Sequence, residues 1–162
     1  MRKDSARNEW LLADDKTLLS QCVFKEYQAS GPGGQKRNRK YSGVRLSHSP
    51  SGIEVYDAGS RSQNDNKRAA LRKLREQIAL EIRCDVKPAL ETLEISARNF
   101  RYPLLLALLI DTLEICDYRI SDAATDLGIS TGKLSKILAR NPSLWTVINT
   151  ERENRGLSKL KK

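Results

Sequence analysis

The chain has only three cysteines, Cys22, Cys84 and Cys116, widely separated and without a CxxC pair, and a single histidine, His48. An odd, scattered set of thiols makes neither a disulfide framework nor a zinc site. Each cysteine therefore reads as a small buried hydrophobe in a reducing compartment. Long apolar runs are missing too: the most apolar stretch, Leu104 to Ile110, falls far short of the about 20 residues a membrane-spanning helix needs. Met1-Arg2-Lys3 leads into Asp4, Ser5 and Asn8, not into the apolar segment of a secretory signal. These absences predict a cytoplasmic chain with no membrane partner, no metal and no cofactor.

Acidic charge is also scarce. Against 29 Lys and Arg stand 20 Asp and Glu, a formal net charge of +9. A surplus of that size on a small protein points to a polyanionic partner, usually nucleic acid. The 162 residues suffice for one ordinary domain, or a compact one with a helical appendage. Only 39% of them are hydrophobic, so a core depends on how well those residues are patterned.

The pattern is legible in places. The first eighteen or so residues are polar, anchored only by Trp10, Leu11 and Leu12, and predict a short helix or ordered arm. Val23 and Phe24 mark a short strand within Gln21–Tyr27. Tyr41–His48 reads as a second strand, with Val44 and Leu46 pointing one way and Arg45 and Ser47 the other. Ser49-Pro50-Ser51-Gly52 is turn chemistry, and Ile53 and Val55 alternate with Glu54 and Tyr56 in a third strand. Asn64 is the expected N-cap of a helix running from Lys67 to Arg83. Ala70, Leu71, Leu74, Ile78 and Ile82 form its apolar stripe, and Arg68, Arg72, Lys73 and Arg75 its solvated faces. Beyond Pro88 and Pro103 the chain reads as helices over Pro103–Asp117, Ser121–Leu127 and Thr131–Ala139. The expected fold is α+β: a small, mostly antiparallel sheet packed with a long helix, followed by an all-α region. The domain reading is 1–98 for the first and 99–162 for the second.

Between the first two strands lies Ala29-Ser30-Gly31-Pro32-Gly33-Gly34-Gln35. Three glycines and a proline within four residues exclude regular helix or strand. Backbone N–H groups in such a loop can approach a ligand closely, so phosphate binding is one reading. The GxxxxGK[ST] pattern is absent, however, and no long helix starts directly after the glycines. A second reading is an oxyanion-type site in which Gln35 supplies an N–H and a side-chain amide. Glutamine cannot be a general base at neutral pH, but it can orient a water. The plainest reading is a glycine-rich surface turn. A basic run, Lys36, Arg37, Arg39 and Lys40 around Asn38, follows at once.

The wider context decides between them. Ser30-Gly31-Pro32-Gly33-Gly34-Gln35, Asn38 with a following base, Val44-Arg45-Leu46-Ser47-His48, Pro50-Ser51-Gly52-Ile53, Arg61-Ser62-Gln63, Asn66 and Ala70-Leu71-Arg72-Lys73-Leu74 keep their order and spacing over roughly residues 18–85. Together they closely resemble the GGQ domain of class I peptide chain release factors, and above all short release-factor-like proteins that share this domain and a helical C-terminus; lacking a codon reader, the chain also resembles the ribosome-rescue factors. The resemblance implies a peptidyl-tRNA hydrolase acting in the peptidyl transferase centre of the large ribosomal subunit. Gly33 and Gly34 would let the loop enter. Gln35 would position the attacking water, its backbone N–H stabilising the oxyanion or the departing ribose hydroxyl. Lys36, Arg37, Asn38, Arg39, Lys40, Arg61, Gln63, Lys67 and Arg68 would contact ribosomal RNA. The family usually has His or Ser and then Val-Asn-Lys after the glutamine. Here Lys36-Arg37-Asn38-Arg39 adds positive charge, which should strengthen docking and its salt dependence. The lone His48, in a strand beside a turn, reads as structural.

Ser49-Pro50-Ser51 is superficially similar to a codon-reading tripeptide but lies in the hairpin turn, and no room remains for a separate codon-reading domain. Ser121 through Ile137, with Ala124 at a close crossing and Gly128 in the turn, reads as a helix-turn-helix. Its second helix carries Lys133, Lys136 and Arg140 for nucleic-acid contact. A compact helical hairpin covering Leu104–Ile110 is an equal reading. Arg152, Arg155, Lys159, Lys161 and Lys162 read as a basic tail. The leading expectation is codon-independent hydrolysis of peptidyl-tRNA, with ribosome and peptidyl-tRNA as partners. The mRNA channel or small subunit is a further contact for the C-terminal region. The alternatives are a nucleic-acid-binding module without hydrolysis, and a release factor that needs a partner to sense mRNA. No heptad or exposed apolar stripe argues against a monomer.

Overall fold

The computed structural model describes residues 2–27 and 42–161. They form an α+β structure that divides into two compact units, Ala6–Ile82 and Met1–Ser5 with Arg83–Lys162.

The first unit opens with two short helices, Arg7–Leu12 (α1) and Asp15–Ser20 (α2), following the strand Arg2–Lys3 (β1) of the other unit. Asp14 caps α2, its carboxylate accepting from the Thr17 N–H at 2.7 Å. Strands Cys22–Tyr27 (β2), Gly43–His48 (β3) and Ile53–Asp57 (β4) make an antiparallel sheet in the order β2-β3-β4. Phe24 stands opposite Leu46, and Leu46 opposite Val55. This register puts Val44, Leu46, Ile53 and Val55 on one buried face, the alternation read from the sequence.

Helix Gln63–Glu81 (α3) covers that face with Ala70, Leu71, Leu74 and Ile78, all buried. It begins earlier than its sequence pattern predicts: the N-cap is Ser62, whose Oγ accepts from the Asp65 N–H at 3.3 Å, not Asn64. It also ends earlier. Ile82, expected in the helical stripe, is extended and opens the two-residue strand Ile82–Arg83 (β5), which pairs with β1. Arg75 departs from the solvated face assigned to it. It is buried, donating to Asp15 Oδ1 at 2.8 Å and to the Ala13 carbonyl at 2.7 Å. Its guanidinium replaces water at the end of α1 and the start of α2, a partner no periodicity analysis of α3 could reveal.

His48 is structural, as expected. Its ring is fully buried, edge-on to Trp10 at 5.0 Å. Nδ1 lies 2.8 Å from Ser51 Oγ and Nε2 3.1 Å from Gln21 Oε1. Burial lowers its pKa from 6.5, favouring the neutral ring.

The second unit is dominated by helix Tyr102–Ile115 (α4), buried along Tyr102–Leu113 on every side, as a central core helix must be. Pro103 sits in its first turn, where no N–H donor is needed. Helices Ile120–Asp126 (α5) and Thr131–Ala139 (α6) follow, joined through Gly128, whose φ of +65° suits glycine. Arg83 and Asp111 form a buried ion pair at 3.3 Å.

A fourth helix, Pro142–Asn154 (α7), follows where the sequence names no element, and it runs into the basic tail read from Arg152 onward. Its side chains explain the difference. Arg152 donates to the Tyr118 carbonyl, and Arg155 pairs with Glu151 and with Glu114 at 3.2 Å while lying 4.4 Å from the Tyr118 ring centroid. Lys159 pairs with Glu153 at 2.8 Å. Among the described residues no helix is long and apolar enough to cross a membrane.

Candidate functional site

Gly33, Gly34, Gln35, Lys36, Arg37, Asn38, Arg39 and Lys40 lie outside the described residues. The ends of the segment that holds them are well defined. The chain leaves the sheet after Tyr27 and re-enters it at Gly43, and these two residues pair across β2 and β3. Gly43 is required there. A Cβ at this position would meet the Tyr27 carbonyl oxygen at 2.7 Å and its ring carbons at 2.8 and 2.9 Å. The Tyr27 ring thus lies directly on the Gly43 backbone, and it meets Tyr56 edge-on at 6.3 Å.

One residue earlier, the Ser42 carbonyl accepts a hydrogen bond from Asn66 Nδ2 at 2.7 Å. Asn66 is fully buried in the first turn of α3. The same Nδ2 donates to the Ser60 carbonyl at 2.9 Å, and Oδ1 accepts from the Ser60 N–H at 2.7 Å. The first turn of α3 is therefore tied to the base of the glycine loop by a side chain with every hydrogen-bonding group in use. In the sequence Asn66 is visible only as one residue of the release-factor resemblance, without a role. Its signal, a polar residue on the buried side of an amphipathic helix, was there to be read.

The four RNA-contact candidates among the described residues gather at this same end of α3. Arg61 and Arg68 are exposed, Gln63 is half-buried, and the Lys67 ammonium sits 5.6 Å from the centroid of the Phe24 ring on β2. Among the described residues Arg61 and Arg68 make no ion pair. The N-terminal end of a helix also favours anions. Lys73, further along, is committed to Asp57 at 2.7 Å. Burial opposes ionisation of Asp57, but hydrogen bonds from Lys73 and the Gly59 N–H, with the charge of Lys73, win and lower its pKa. On the open face of the sheet, Arg45 lies over the Tyr56 ring at 4.7 Å and Ser47 bonds Glu54 at 2.5 Å. These cross-strand partners satisfy one another.

The C-terminal candidates are arranged differently. Lys133, Lys136 and Arg140 lie along one side of α6, at the spacing of successive turns. Lys133 is held by Glu94 at 3.0 Å, and the hydrogen bond from Lys133 lowers the Glu94 pKa. Cys22, Cys84 and Cys116 form no disulfide, and burial pushes the Cys22 thiol up to about 11, which keeps it protonated at neutral pH.

This combination, an α+β domain whose glycine loop leaves a three-stranded sheet beside a basic helix end, defines a class. Residues 19–98 match the RF-1 domain family. The chain is 41% identical over 59 residues to peptide chain release factor 1 of Salinibacter ruber, an alignment covering 36% of this chain and 16% of that protein. It is 43% identical over 68 residues to peptide chain release factor 2 of Kineococcus radiotolerans, covering 42% and 18%. A longer match, 29% identical over 113 residues, relates it to peptide chain release factor 2 of a Sulfurovum species, covering 69% and 31%. The segment that matches the RF-1 domain, residues 19–98, contains Gly33-Gly34-Gln35. The chain spans less than a third of the length of these relatives.

Proposed function

We propose that the chain hydrolyses the ester bond of peptidyl-tRNA in the peptidyl transferase centre of the ribosome, without reading a codon. The observation that carries this is the Gly33-Gly34-Gln35 motif inside a release-factor domain. A domain that only docked on RNA would have no need of that tripeptide. Gln35 orients a water against the ester carbonyl carbon, and its backbone N–H stabilises the negative oxygen that forms. Water forms the new C–O bond, the bond to the ribose oxygen breaks, and a proton from the water ends on the ribose hydroxyl. The nascent peptide leaves as a carboxylic acid. Ribosomal RNA and the terminal nucleotide of the tRNA complete the site.

Docking is electrostatic. Lys36, Arg37, Arg39 and Lys40 with Asn38, together with Arg61, Gln63, Lys67 and Arg68, meet rRNA phosphates. Codon independence is supported by the Ser49-Pro50-Ser51 segment: Ser51 is buried, its Oγ engaged with His48 and with the Ile53 N–H at 3.2 Å. It serves the turn and is not displayed to mRNA. The α5–α6 pair, read as a helix-turn-helix, would bring Lys136 and Arg140 to the mRNA channel or the small subunit. The protein acts in the cytoplasm as a monomer.

Peptide release from stalled ribosomes tests this, comparing mRNA that ends in the P site with mRNA that presents a stop or sense codon in the A site. Release independent of the codon supports the reading. Release confined to stop codons, or needing an added protein, replaces it with a partner-dependent termination factor.

A further inference from the structure

Within the helical unit, the segment 94–102 runs beside α6 and is tied to it near both ends. At its start, Glu94 pairs with Lys133 at 3.0 Å. At its end, the Tyr102 hydroxyl accepts from Nδ2 of Asn141, the residue that caps α7 directly after α6, at 3.2 Å. Lys133, Lys136 and Arg140 share one side of α6, so the pair with Glu94 sets the segment along that cationic side. The hydrogen bond from Lys133 lowers the Glu94 pKa and the charge of Arg140 lowers it further, so Arg140 faces the segment as well.

Between its two ties the segment is built of tight turns. The Ser96 carbonyl accepts from the Asn99 N–H at 2.9 Å, and the Asn99 carbonyl from the Tyr102 N–H at 3.0 Å. Side chains close the same turns: Ser96 Oγ accepts from the Arg98 N–H at 3.3 Å and Asn99 Oδ1 from the Arg101 N–H at 2.8 Å. The backbone at Arg98 and Arg101 is thereby fixed, while both residues are exposed. Phe100 lies between them in sequence and is 51% exposed. Lys136, on α6, and Arg140, at its C-cap, are also exposed, one four-residue helical step of about 6 Å apart. None of these four cations makes an ion pair among the described residues. Cations held in this way favour a polyanion. An exposed aromatic ring beside them favours one whose bases can stack, which a single strand offers and a duplex hides.

We propose that Arg98, Phe100, Arg101, Lys136 and Arg140 form a surface for single-stranded RNA on the helical unit, the four cations meeting phosphates and Phe100 stacking on a base. This rests on the reading of α6 as a nucleic-acid contact, adds the segment 94–102 to it, and is independent of hydrolysis.

The test uses the full chain and a fluorescently labelled oligouridylate, with anisotropy read over a series of potassium chloride concentrations. Arg98→Ala with Arg101→Ala should weaken binding by about fivefold or more and flatten the slope of log K against log salt by roughly 1.4, two contacts at about 0.7 each on a single strand. Lys136→Ala with Arg140→Ala should do the same. Phe100→Leu keeps apolar bulk and loses the ring; it should weaken binding by about fivefold or more with the slope unchanged, and Phe100→Tyr should retain the wild-type affinity. All five side chains are exposed, so the melting temperatures should match that of the wild type. Wild-type affinity in either the Arg98 and Arg101 variant or Phe100→Leu overturns the proposal. If the Lys136 and Arg140 variant alone weakens binding, the α6 reading stands without this surface. Polyglutamate, a polyanion without bases, should compete poorly at equal charge; equal competition overturns the choice of RNA and assigns the face to an acidic protein. A chain that binds the oligouridylate in this way yet is silent in peptide release contradicts the hydrolase reading and not this surface.

Discussion

The two units of this molecule each pair part of their positive charge with nearby acids, and each keeps cations that make no ion pair among the described residues. They include Arg61 and Arg68 in the sheet unit and Arg98, Arg101, Lys136 and Arg140 in the helical one. In the helical unit, cations are spent on nearby acids: Arg83 on Asp111, Lys87 on Asp126, Lys133 on Glu94, Arg155 on Glu114 and Glu151, Lys159 on Glu153. In the sheet unit Arg75 and Lys73 are spent likewise, on Asp15 and Asp57. Arg61 and Arg68, at the start of α3, make no ion pair among the described residues. Net charge alone does not tell these cations apart; the pairing does, separating those already matched by an acid from those that are not. An ion pair already made inside the protein must be broken before its cation can serve a phosphate, which weakens that cation as a docking group.

That comparison can be broken by experiment. Reversing charge at both Arg61 and Arg68 to Glu should weaken ribosome binding by about tenfold or more and flatten its salt dependence, each lost phosphate contact removing roughly 0.7–0.9 from the slope of log K against log salt. Thermal stability should hardly change, and a filter-binding series over salt concentration would show both. Arg155→Ala should do the reverse. It loses its contacts to Glu114 and the Tyr118 ring, costing on the order of 1 kcal/mol of stability by urea unfolding, with ribosome affinity unchanged. Ser62→Ala removes the cap of α3 and should cost about 1 kcal/mol, again by urea unfolding. Smallest is Lys133→Ala: the pair with Glu94 is exposed, worth about 0–1 kcal/mol, and affinity should fall less than for Arg68→Ala. An equal fall would show that α6 is as free for nucleic acid as α3.

His48 gives a pH test confined to the sheet unit. Its folded pKa is depressed by burial, so the unfolded chain takes up the proton first as pH falls. The stability it contributes is complete above its ordinary value of 6.5 and is lost as pH falls below that toward the folded pKa. Urea midpoints measured from pH 7.5 down to 5.5 should fall, and the fall should disappear in a folded His48→Gln protein.

Much of this was legible in the sequence because it depends on short-range pattern. Alternation at Val44, Leu46, Ile53 and Val55 defined the hairpin, and the spacing of Ala70, Leu71, Leu74 and Ile78 defined the helix face. What the sequence hid depends on partners far along the chain. Arg75 looked solvated because its carboxylate partner, Asp15, belongs to another helix. Arg152 and Arg155 looked like a tail because their acceptors, the Tyr118 carbonyl and Glu114, come from α4 and the turn after it. The start of α7 was nevertheless written locally: Asn141 accepts from the Leu144 N–H at 2.9 Å and Pro142 opens the helix. At the site, the glycine–glutamine motif stood out by composition. Asn66 did not: its only sign was a polar residue on the buried side of the helix, and the Ser42 and Ser60 carbonyls it meets belong to no local pattern.

The most direct measurement is release of labelled peptide from purified ribosomes that hold peptidyl-tRNA in the P site and nothing in the A site, with wild-type protein and Gln35→Ala compared at equal ribosome occupancy. The account predicts release by the wild type and a loss of about 100-fold or more in the variant, with binding retained. Equal release by both proteins, or none by the wild type while it remains bound, would contradict it.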